Sequence, residues 1–200
     1  MDFTSSIGGN DDAGSVGSGH RLELSIVVPA FREGLNLAIA IEQIRSCALT
    51  ATPSIEVIVV DDGSDDDTWS CIQSLSTKFS EVRGIRFSRN YGKDAAVAAG
   101  LNESTGDAAV IIDADLQHPP SLIPMFYEQW KKHGYMIVSA VKRKRDDEPF
   151  LRKLGSRLFN DLIAKTTSLD LRDSTDCKLL ARPVITAWKG SDPALAIEVG

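Results

Sequence analysis

The sequence lacks the features of several common kinds of site. Its three cysteines, Cys47, Cys71 and Cys177, stand singly, with no CxxC and no histidine at metal-ligand spacing, so neither a zinc site nor a disulfide framework is expected. No apolar run approaches the roughly 20 residues that cross a bilayer. Residues 1–20, rich in Gly, Ser and Asp, carry no secretory signal. We therefore expect a soluble chain in a reducing cytosol.

A positive charge balance is missing too. With 22 Lys and Arg against 28 Asp and Glu, the formal net charge is -6, so the chain lacks the basic footprint of a general nucleic-acid binder. No Gly stands five residues before Gly92-Lys93, as a Walker A loop requires, and no GxGxxG follows a strand. P-loop and dinucleotide-binding functions are therefore excluded, and an anionic substrate has to be held by a local cluster.

Short β-branched runs alternate with segments of helical spacing along the chain. The strand-like runs are Ser25–Val28, Glu56–Val60, Gly84–Phe87, Ala108–Ile112 and Met136–Val141. They are apolar throughout and follow one another at about the 30-residue spacing of βαβ units, which predicts an α/β fold with a mostly parallel sheet between helices. The length favours one domain, at residues 21–200, after a disordered tail at residues 1–20.

Polar clusters follow four of the predicted strands, at the edge where parallel sheets bind ligands. In one of them, Asp113 and Asp115 stand one residue apart, so that both carboxylates can face one hard cation, Mg or Mn, and Gln117 can add an oxygen. The alternative is that these aspartates cap the following helix, but the neighbouring polar strand ends favour the metal. We interpret His118 as a bystander, since such cations prefer oxygen to imidazole.

Acidic and aromatic side chains near two other strand ends are candidates for nucleotide contacts. Asp61 or Asp62 can accept hydrogen bonds from a base or ribose, and Asp61 is the preferred residue. Glu33 can do the same while Phe31 flanks the base. The acidic residues 65–67 that follow are predicted to cap the next helix, where carboxylates meet the helix dipole favourably.

Positive charge is concentrated at two places. The segment Asn90–Lys93 begins the third helix, so its backbone N–H groups and the Lys93 ammonium can face a diphosphate, unless the segment is an ordinary turn. The run Lys142–Arg145, with Arg152, Lys153 and Arg157, places seven positive charges within sixteen residues. This basic run suits a phosphate or an anionic lipid surface; the alternative is a solvated face.

Four ordered segments carry a family resemblance: Ser25–Phe31, Glu56–Ser64, Phe87–Lys93 and Asp113–Pro120. Together they resemble glycosyltransferase family 2, specifically its polyprenyl-phosphate branch, which is similar to dolichol-phosphate mannosyltransferase. The resemblance implies a GT-A fold. It also implies metal-dependent, inverting transfer of a sugar from a UDP- or GDP-sugar to undecaprenyl or dolichyl phosphate, at the cytoplasmic face of a membrane.

The same resemblance assigns roles to residues. It implies donor contacts from Pro29, Phe31, Glu33, Asp61, Asp62, Lys93 and Asp113, a metal site of Asp113, Asp115 and Gln117, and an acceptor-phosphate site of Lys142, Arg152 and Ser156. Asp115 and Asp176 are the expected catalytic residues, and Asp176 is expected to act by positioning.

The chain departs from the family at two points. Cys177 stands where the family has an aromatic residue, and residues 191–200 show no family pattern, although members of this branch continue into transmembrane helices. We therefore expect a GT-A domain that lacks the C-terminal membrane part. One competing hypothesis is a non-catalytic nucleotide-sugar-binding module, and another is a family 2 transferase with a different acceptor. The sequence leaves the oligomeric state open.

Overall fold

The computed structural model describes residues 22–140 and 177–191, so the predicted tail at residues 1–20 lies outside it. The elements are β1 (Leu24–Ala30), α1 (Leu37–Ala51), β2 (Ile55–Asp61), α2 (Thr68–Lys78), β3 (Val82–Arg86), α3 (Lys93–Glu103), β4 (Ala108–Ile111), α4 (Leu122–His133), β5 (Ile137–Ser139), β6 (Lys178–Ala181) and α5 (Arg182–Ser191). The five predicted strands are confirmed, with bounds that differ by a residue or two. Strand β6 was not predicted.

The strands form one six-stranded sheet in the order β3-β2-β1-β4-β6-β5. Strands β1 to β4 are parallel to one another, with Leu24 of β1 beside Ile55 of β2 on one side and Ala108 of β4 on the other. Strand β6 is antiparallel to both β4 and β5, so β5 points in the same direction as β1 to β4. The predicted α/β fold with a mostly parallel sheet is confirmed.

Strands β1 and β2 are buried along their whole length because helices cover both faces of the sheet. On one face, Ile26 and Val28 belong to a core cluster with side chains of α1, α2 and α4. On the other face, Val27 packs with Leu101 of α3 and Ile185 of α5. Burial on both faces explains why these strands read as continuous apolar runs rather than alternating patterns.

Helix α3 approaches the sheet closely because its buried face is made of small residues. A Cβ on Gly100 would overlap the side chain of Val27, and Ala96 and Ala98 are buried beside it. This close packing fixes the axis of α3 against β1 and β2 and so fixes where its first residue, Lys93, lies. Within the two described ranges, no helix combines the length and apolar composition that crossing a bilayer requires.

Two glutamates tie together the amino-terminal edge of the sheet, opposite the predicted site. Glu56, 7% exposed, accepts hydrogen bonds from the Ser25 hydroxyl at 2.7 Å and from the backbone N–H and hydroxyl of Thr105 at 2.7 and 2.8 Å. Burial alone would raise the pKa of Glu56, but these bonds and nearby Arg83 outweigh it and lower that pKa. The carboxylate thus joins β1, β2 and the loop before β4.

Glu23, just before β1, makes a second set of contacts at this edge. Its carboxylate accepts hydrogen bonds from the Lys131 ammonium at 2.8 Å, the Thr52 hydroxyl at 2.6 Å and the Tyr127 hydroxyl at 2.7 Å. The bonds from Lys131, Thr52 and Tyr127 lower the pKa of Glu23 from 4.5 to about 2. Glu23 therefore connects the start of β1 to the carboxyl-terminal ends of α1 and α4.

We expect Glu23→Gln to lower the free energy of unfolding at pH 7 by about 1–2 kcal/mol, because three donors lose a charged acceptor at a partly solvated position. The folded-state pKa of Glu23 is depressed, so its stabilisation is complete above the ordinary pKa of 4.5 and is lost as the pH falls toward about 2. Urea unfolding at pH 7 and pH 3 measures both effects.

The matched control for this prediction is Glu128→Gln, which removes an exposed pair with Lys132 at 2.7 Å within α4. We expect that change to cost no more than about 0.5 kcal/mol. An equal loss in the two variants, or a Glu23→Gln loss that is the same at both pH values, would contradict the proposed role of Glu23.

Candidate functional site

Polar loops meet at the carboxyl edge of the sheet around a cavity of about 310 Å³. The lining residues come from the ends of β1, β2 and β4 and from the start of α3: Pro29, Ala30, Phe31, Glu33, Asp62, Asn90, Gly92, Lys93, Ala96, Asp113, Ala114 and Asp115. The structure therefore brings together six of the seven predicted donor-binding residues and the predicted metal ligand Asp115. Asp61 and Gln117 are not among the lining residues.

Asp62 connects two of the loops that form the cavity. Its side chain is 3% exposed, and its two carboxylate oxygens accept hydrogen bonds from the backbone N–H groups of Tyr91 at 2.7 Å and Gly92 at 2.9 Å. Hydrogen bonds to a buried charged acceptor are strong and are costly to leave unpaired. Asp62 therefore holds the β3–α3 loop against the end of β2, in addition to lining the cavity.

The next residue, Gly63, allows the same two loops to touch. Its φ is +69°, and a Cβ there would lie 2.6 Å from the Arg89 Cα. Only glycine tolerates both the left-handed backbone and this approach. Asp62 and Gly63 thus connect the β2–α2 loop to the β3–α3 loop. Asp62 provides the hydrogen-bond acceptors, and Gly63 allows the two backbones to approach closely.

The β2–α2 loop also forms hydrogen bonds with the loop after β1. The backbone N–H of Arg32 donates to the Ser64 hydroxyl at 3.0 Å, and the Arg32 guanidinium binds Asp65 with two hydrogen bonds of 2.8 and 2.9 Å. The backbone N–H of Glu33 donates to the Thr68 hydroxyl at 2.9 Å. The loop after β1 is thereby held in position, and Phe31 and Glu33 line the cavity.

The acidic run 65–67 caps α2 through one member. Asp66 accepts hydrogen bonds from the Thr68 backbone N–H at 3.0 Å and the Thr68 hydroxyl at 2.5 Å, which confirms the capping prediction for that residue. Asp67 stands at the N-cap position but makes no side-chain cap hydrogen bond. Asp65 pairs with Arg32 instead, so the three carboxylates have three different environments.

Asp61, the residue preferred for contacting a nucleoside, has a fully buried side chain. One carboxylate oxygen accepts a hydrogen bond from the Ser64 backbone N–H at 2.9 Å, and the other lies 3.4 Å from the Arg86 Nε. Asp61 therefore shapes the turn that carries Asp62 to Ser64. Its direct contact with a donor stays a prediction.

The predicted metal ligands Asp113 and Asp115 follow β4 at the cavity. The Lys93 ammonium donates a hydrogen bond of 2.6 Å to the Asp113 Oδ2, and the Asp115 Oδ1 accepts one of 2.9 Å from the Gln117 backbone N–H. Leu116, between Asp115 and Gln117, has a φ of +58°. A left-handed leucine costs about 1 kcal/mol or more and is found where the surroundings enforce the geometry.

The donor set at this point fits a hard divalent cation. Asp113 and Asp115 offer carboxylate oxygens at the cavity, whereas Gln117 is not among its lining residues. The described residues contain no group of three or more His, Cys, Asp or Glu side chains arranged around one point. Mg²⁺ is commonly bound by one or two carboxylates together with substrate phosphates rather than by a complete protein cage. The set therefore suits a cation shared with a phosphorylated ligand.

The charges that line the cavity also favour a divalent cation. Burial, and then the nearby carboxylates of Asp115, Asp66 and Asp113, raise the pKa of Glu33. Among the described lining residues, Lys93 is the single cation beside four carboxylates. A diphosphate brought into such a cavity needs an additional positive charge, which a divalent cation supplies.

Four predicted site residues lie outside the described residues: Lys142, Arg152, Ser156 and Asp176. Sequence reasoning also missed the left-handed backbone of Arg32, which has a φ of 57° and stands between the lining residues Phe31 and Glu33. His118 does not line the cavity; it is buried, and its Nε2 has no hydrogen-bond partner among the described residues.

The sequence is similar to a family model and to several curated proteins. A family model for glycosyl transferase family 2 matches residues 25–185. An uncharacterized glycosyltransferase of Bacillus subtilis, YkcC, is 36% identical over 84% of this chain and 52% of its own length. An undecaprenyl-phosphate 4-deoxy-4-formamido-L-arabinose transferase of Aeromonas hydrophila is 34% identical over 75% of this chain and 46% of its own. The chain thus spans about half the length of these curated relatives.

Solved structures share the fold at lower identity. A mannosyltransferase from Pyrobaculum calidifontis, in complex with GDP-Man and Mn²⁺, superposes with a TM-score of 0.61 at 21% identity, over 85% of this chain and 47% of that one. Glucosyl-3-phosphoglycerate synthase from Mycobacterium tuberculosis, in complex with UDP, gives a TM-score of 0.55 at 23% identity, over 81% and 57%. These likenesses establish the GT-A fold.

We expect Asp62→Asn to lower the free energy of unfolding by about 1–3 kcal/mol, because an amide leaves one of two buried N–H groups facing another donor. Amide hydrogen exchange at Tyr91 and Gly92 should accelerate more than exchange elsewhere in the sheet. Mass-resolved or NMR-detected exchange measures the effect.

The control is Asp67→Asn, an exposed carboxylate of the same loop without a side-chain cap bond, which should change neither quantity. Unaltered exchange at Tyr91 and Gly92 in Asp62→Asn would show that the carboxylate does not hold this loop.

Proposed function

This chain belongs to glycosyltransferase family 2, and from that membership we propose that it transfers a sugar from a UDP- or GDP-sugar to a polyprenyl phosphate. The transfer is metal-dependent and inverts the anomeric carbon. The observation that carries the proposal is the cavity at the carboxyl edge, where Asp113, Asp115 and Lys93 converge beside Phe31 and Glu33.

The donor is proposed to lie along this cavity with its base near β1. Phe31 is 38% exposed, so its ring offers a face for a base, and Glu33 offers an acceptor for a base or ribose. The diphosphate is proposed to extend to the start of α3, where backbone N–H groups and the Lys93 ammonium favour anions. Solved neighbours bind GDP-Man in one case and UDP in another, so both bases remain candidates.

The cofactor is proposed to be Mg²⁺ or Mn²⁺, held by Asp113, Asp115 and Gln117. When bound, the cation supplies positive charge that stabilises the departing nucleoside diphosphate. The residues themselves set its position, because the Gln117 N–H orients the Asp115 carboxylate. Two of the solved neighbours contain Mn²⁺, which supports a divalent cation without choosing between the two.

The acceptor proposal draws on the relatives named for undecaprenyl-phosphate transfer. A phosphate monoester has a second pKa near 6, so at neutral pH it is already a charged nucleophile and needs no strong general base. Lys142, Arg152 and Ser156 remain the predicted acceptor-phosphate residues and Asp176 the predicted positioning residue. Such an acceptor would place the reaction at the cytoplasmic face of a membrane.

We expect nucleoside diphosphate binding to require a divalent cation, because the lining carboxylates otherwise repel the ligand. EDTA or Asp115→Asn should weaken UDP or GDP binding by about tenfold or more, the effect of losing one charged contact. Isothermal titration with both nucleotides measures this. Asp94→Asn, an exposed carboxylate in the first turn of α3, is the control and should bind normally. Binding that withstands both EDTA and Asp115→Asn would remove the metal from the proposal.

We expect sugar transfer to polyprenyl phosphate in vesicles but not to the corresponding polyprenol. A triple Lys142→Ala, Arg145→Ala, Arg152→Ala variant should lose transfer and vesicle co-sedimentation yet keep nucleotide binding, since each basic residue contributes about 1 kcal/mol near an anionic surface. Radiolabelled transfer from UDP- and GDP-sugars is the measurement. Nucleotide-sugar binding without transfer to any acceptor would instead favour the non-catalytic module, and transfer to a hydroxyl compound would favour a different acceptor class.

A further inference from the structure

Lys93 and Asp113 form an ion pair at the cavity. The proposed function assigns a different ligand to each of these two residues. The Lys93 Nζ lies 2.6 Å from the Asp113 Oδ2, and the side chains are 43% and 16% exposed. Asp113 is a proposed metal ligand, whereas Lys93 is a proposed diphosphate ligand. The ion pair therefore links a residue of the proposed metal site to a residue of the proposed diphosphate site.

The position of Lys93 in its helix makes an anionic partner favourable. Lys93 is the first residue of α3, where the helix dipole disfavours a cation. The backbone just before it is fixed, because Asp62 holds the N–H groups of Tyr91 and Gly92 and the small buried face of α3 sets the helix axis. The ammonium thus moves only by rotation about its own side-chain bonds, within reach of the cavity.

In the proposed site, an ammonium and a divalent cation compete for the same Asp113 carboxylate, whose Oδ2 is bound by Lys93. A partly exposed ion pair contributes at most about 1 kcal/mol, so a divalent cation that is also bound by Asp115 and Gln117 can displace the ammonium. The displaced ammonium is then next to two positive charges, a position that is favourable only if an anion is close. A diphosphate at the start of α3 is such an anion.

We propose that Lys93 is an exchangeable counterion, which neutralises Asp113 until a divalent cation binds there and then turns to the donor diphosphate. This inference rests on the proposed function, since it takes the metal and the diphosphate as the ligands of the cavity. Its consequence is positive coupling: the metal frees Lys93 for the nucleotide, and the nucleotide removes Lys93 as a competitor of the metal. By linkage, each ligand raises the affinity for the other by the same factor.

The test separates the two roles of Lys93 with Mn²⁺ as the metal probe and UDP and GDP as the nucleotide probes. In Lys93→Met, the affinity for Mn²⁺ without nucleotide should rise roughly three- to tenfold, because a competing charge is gone. The affinity for the nucleotide at saturating Mn²⁺ should fall about tenfold. Electron paramagnetic resonance of free Mn²⁺ and isothermal titration provide the two readouts without any turnover.

Three further variants keep the test decisive. Lys93→Gln is a second neutral variant, so a folding defect of one substitution does not decide the result. Lys93→Arg keeps the charge, so it should not show the roughly three- to tenfold rise in Mn²⁺ affinity that is expected of the neutral variants. Lys132→Met removes the cation of an exposed pair with Glu128 on α4 and should have no effect.

The outcomes distinguish this inference from the proposed function. If Mn²⁺ and nucleotide bind to the wild type but the neutral variants bind Mn²⁺ alone no more tightly than the wild type does, the counterion role is wrong and the proposed function stands. If Mn²⁺ binds to none of the proteins, with or without nucleotide, both are wrong. Tighter Mn²⁺ binding together with weaker nucleotide binding in the neutral variants confirms the exchange.

Discussion

The buried carboxylate of Asp62 accepts the backbone N–H groups of Tyr91 and Gly92, and the arrangement of the cavity depends on these two bonds. Strand β2 lies between β1 and β3 in the sheet, and the loop after it contacts both the loop after β1 and the loop after β3. It holds one neighbour through Asp62 and the close approach at Gly63, and the other through Ser64 and Asp65. A motif rich in aspartate thus serves to fix loops, and of its five aspartates only Asp62 lines the cavity.

The charged side chains that line the cavity determine which ligands it favours. Carboxylates dominate its lining, burial and neighbouring carboxylates raise the pKa of Glu33, and the Lys93 ammonium is paired with Asp113. Under the proposed function, a substrate that carries phosphates enters such a cavity together with a cation, so the acidic lining would select metal-complexed ligands. The stabilising networks of Glu23 and Glu56 lie at the opposite edge of the sheet, and this separation keeps stability and chemistry in different parts of the molecule.

Sequence reasoning predicted the features that leave a regular pattern in the sequence, such as the buried strands. It missed the features that depend on the contacts of single residues. The apolar runs of β1, β2 and β4 are long enough to be read as buried parallel strands, and their polar ends locate the site. Strand β6 is four residues long and begins with a buried lysine, so nothing in its composition distinguishes it from a loop. Asp61 and Asp62 are adjacent and chemically identical, and only the structure shows that the first shapes a turn while the second binds the neighbouring loop.

The antiparallel direction of β6 determines where the chain leaves and re-enters the sheet. Because β5 points toward the carboxyl edge and β6 begins there, the chain leaves and re-enters the sheet beside the cavity, and the Ala140 N–H closes the base of this excursion on the Cys177 carbonyl at 3.1 Å. The two positions that flank residues 141–176 are thus held at a distance set by the register of β5 and β6, in which Ser139 lies beside Lys178. Their separation in space therefore does not depend on the number of residues between them in the sequence.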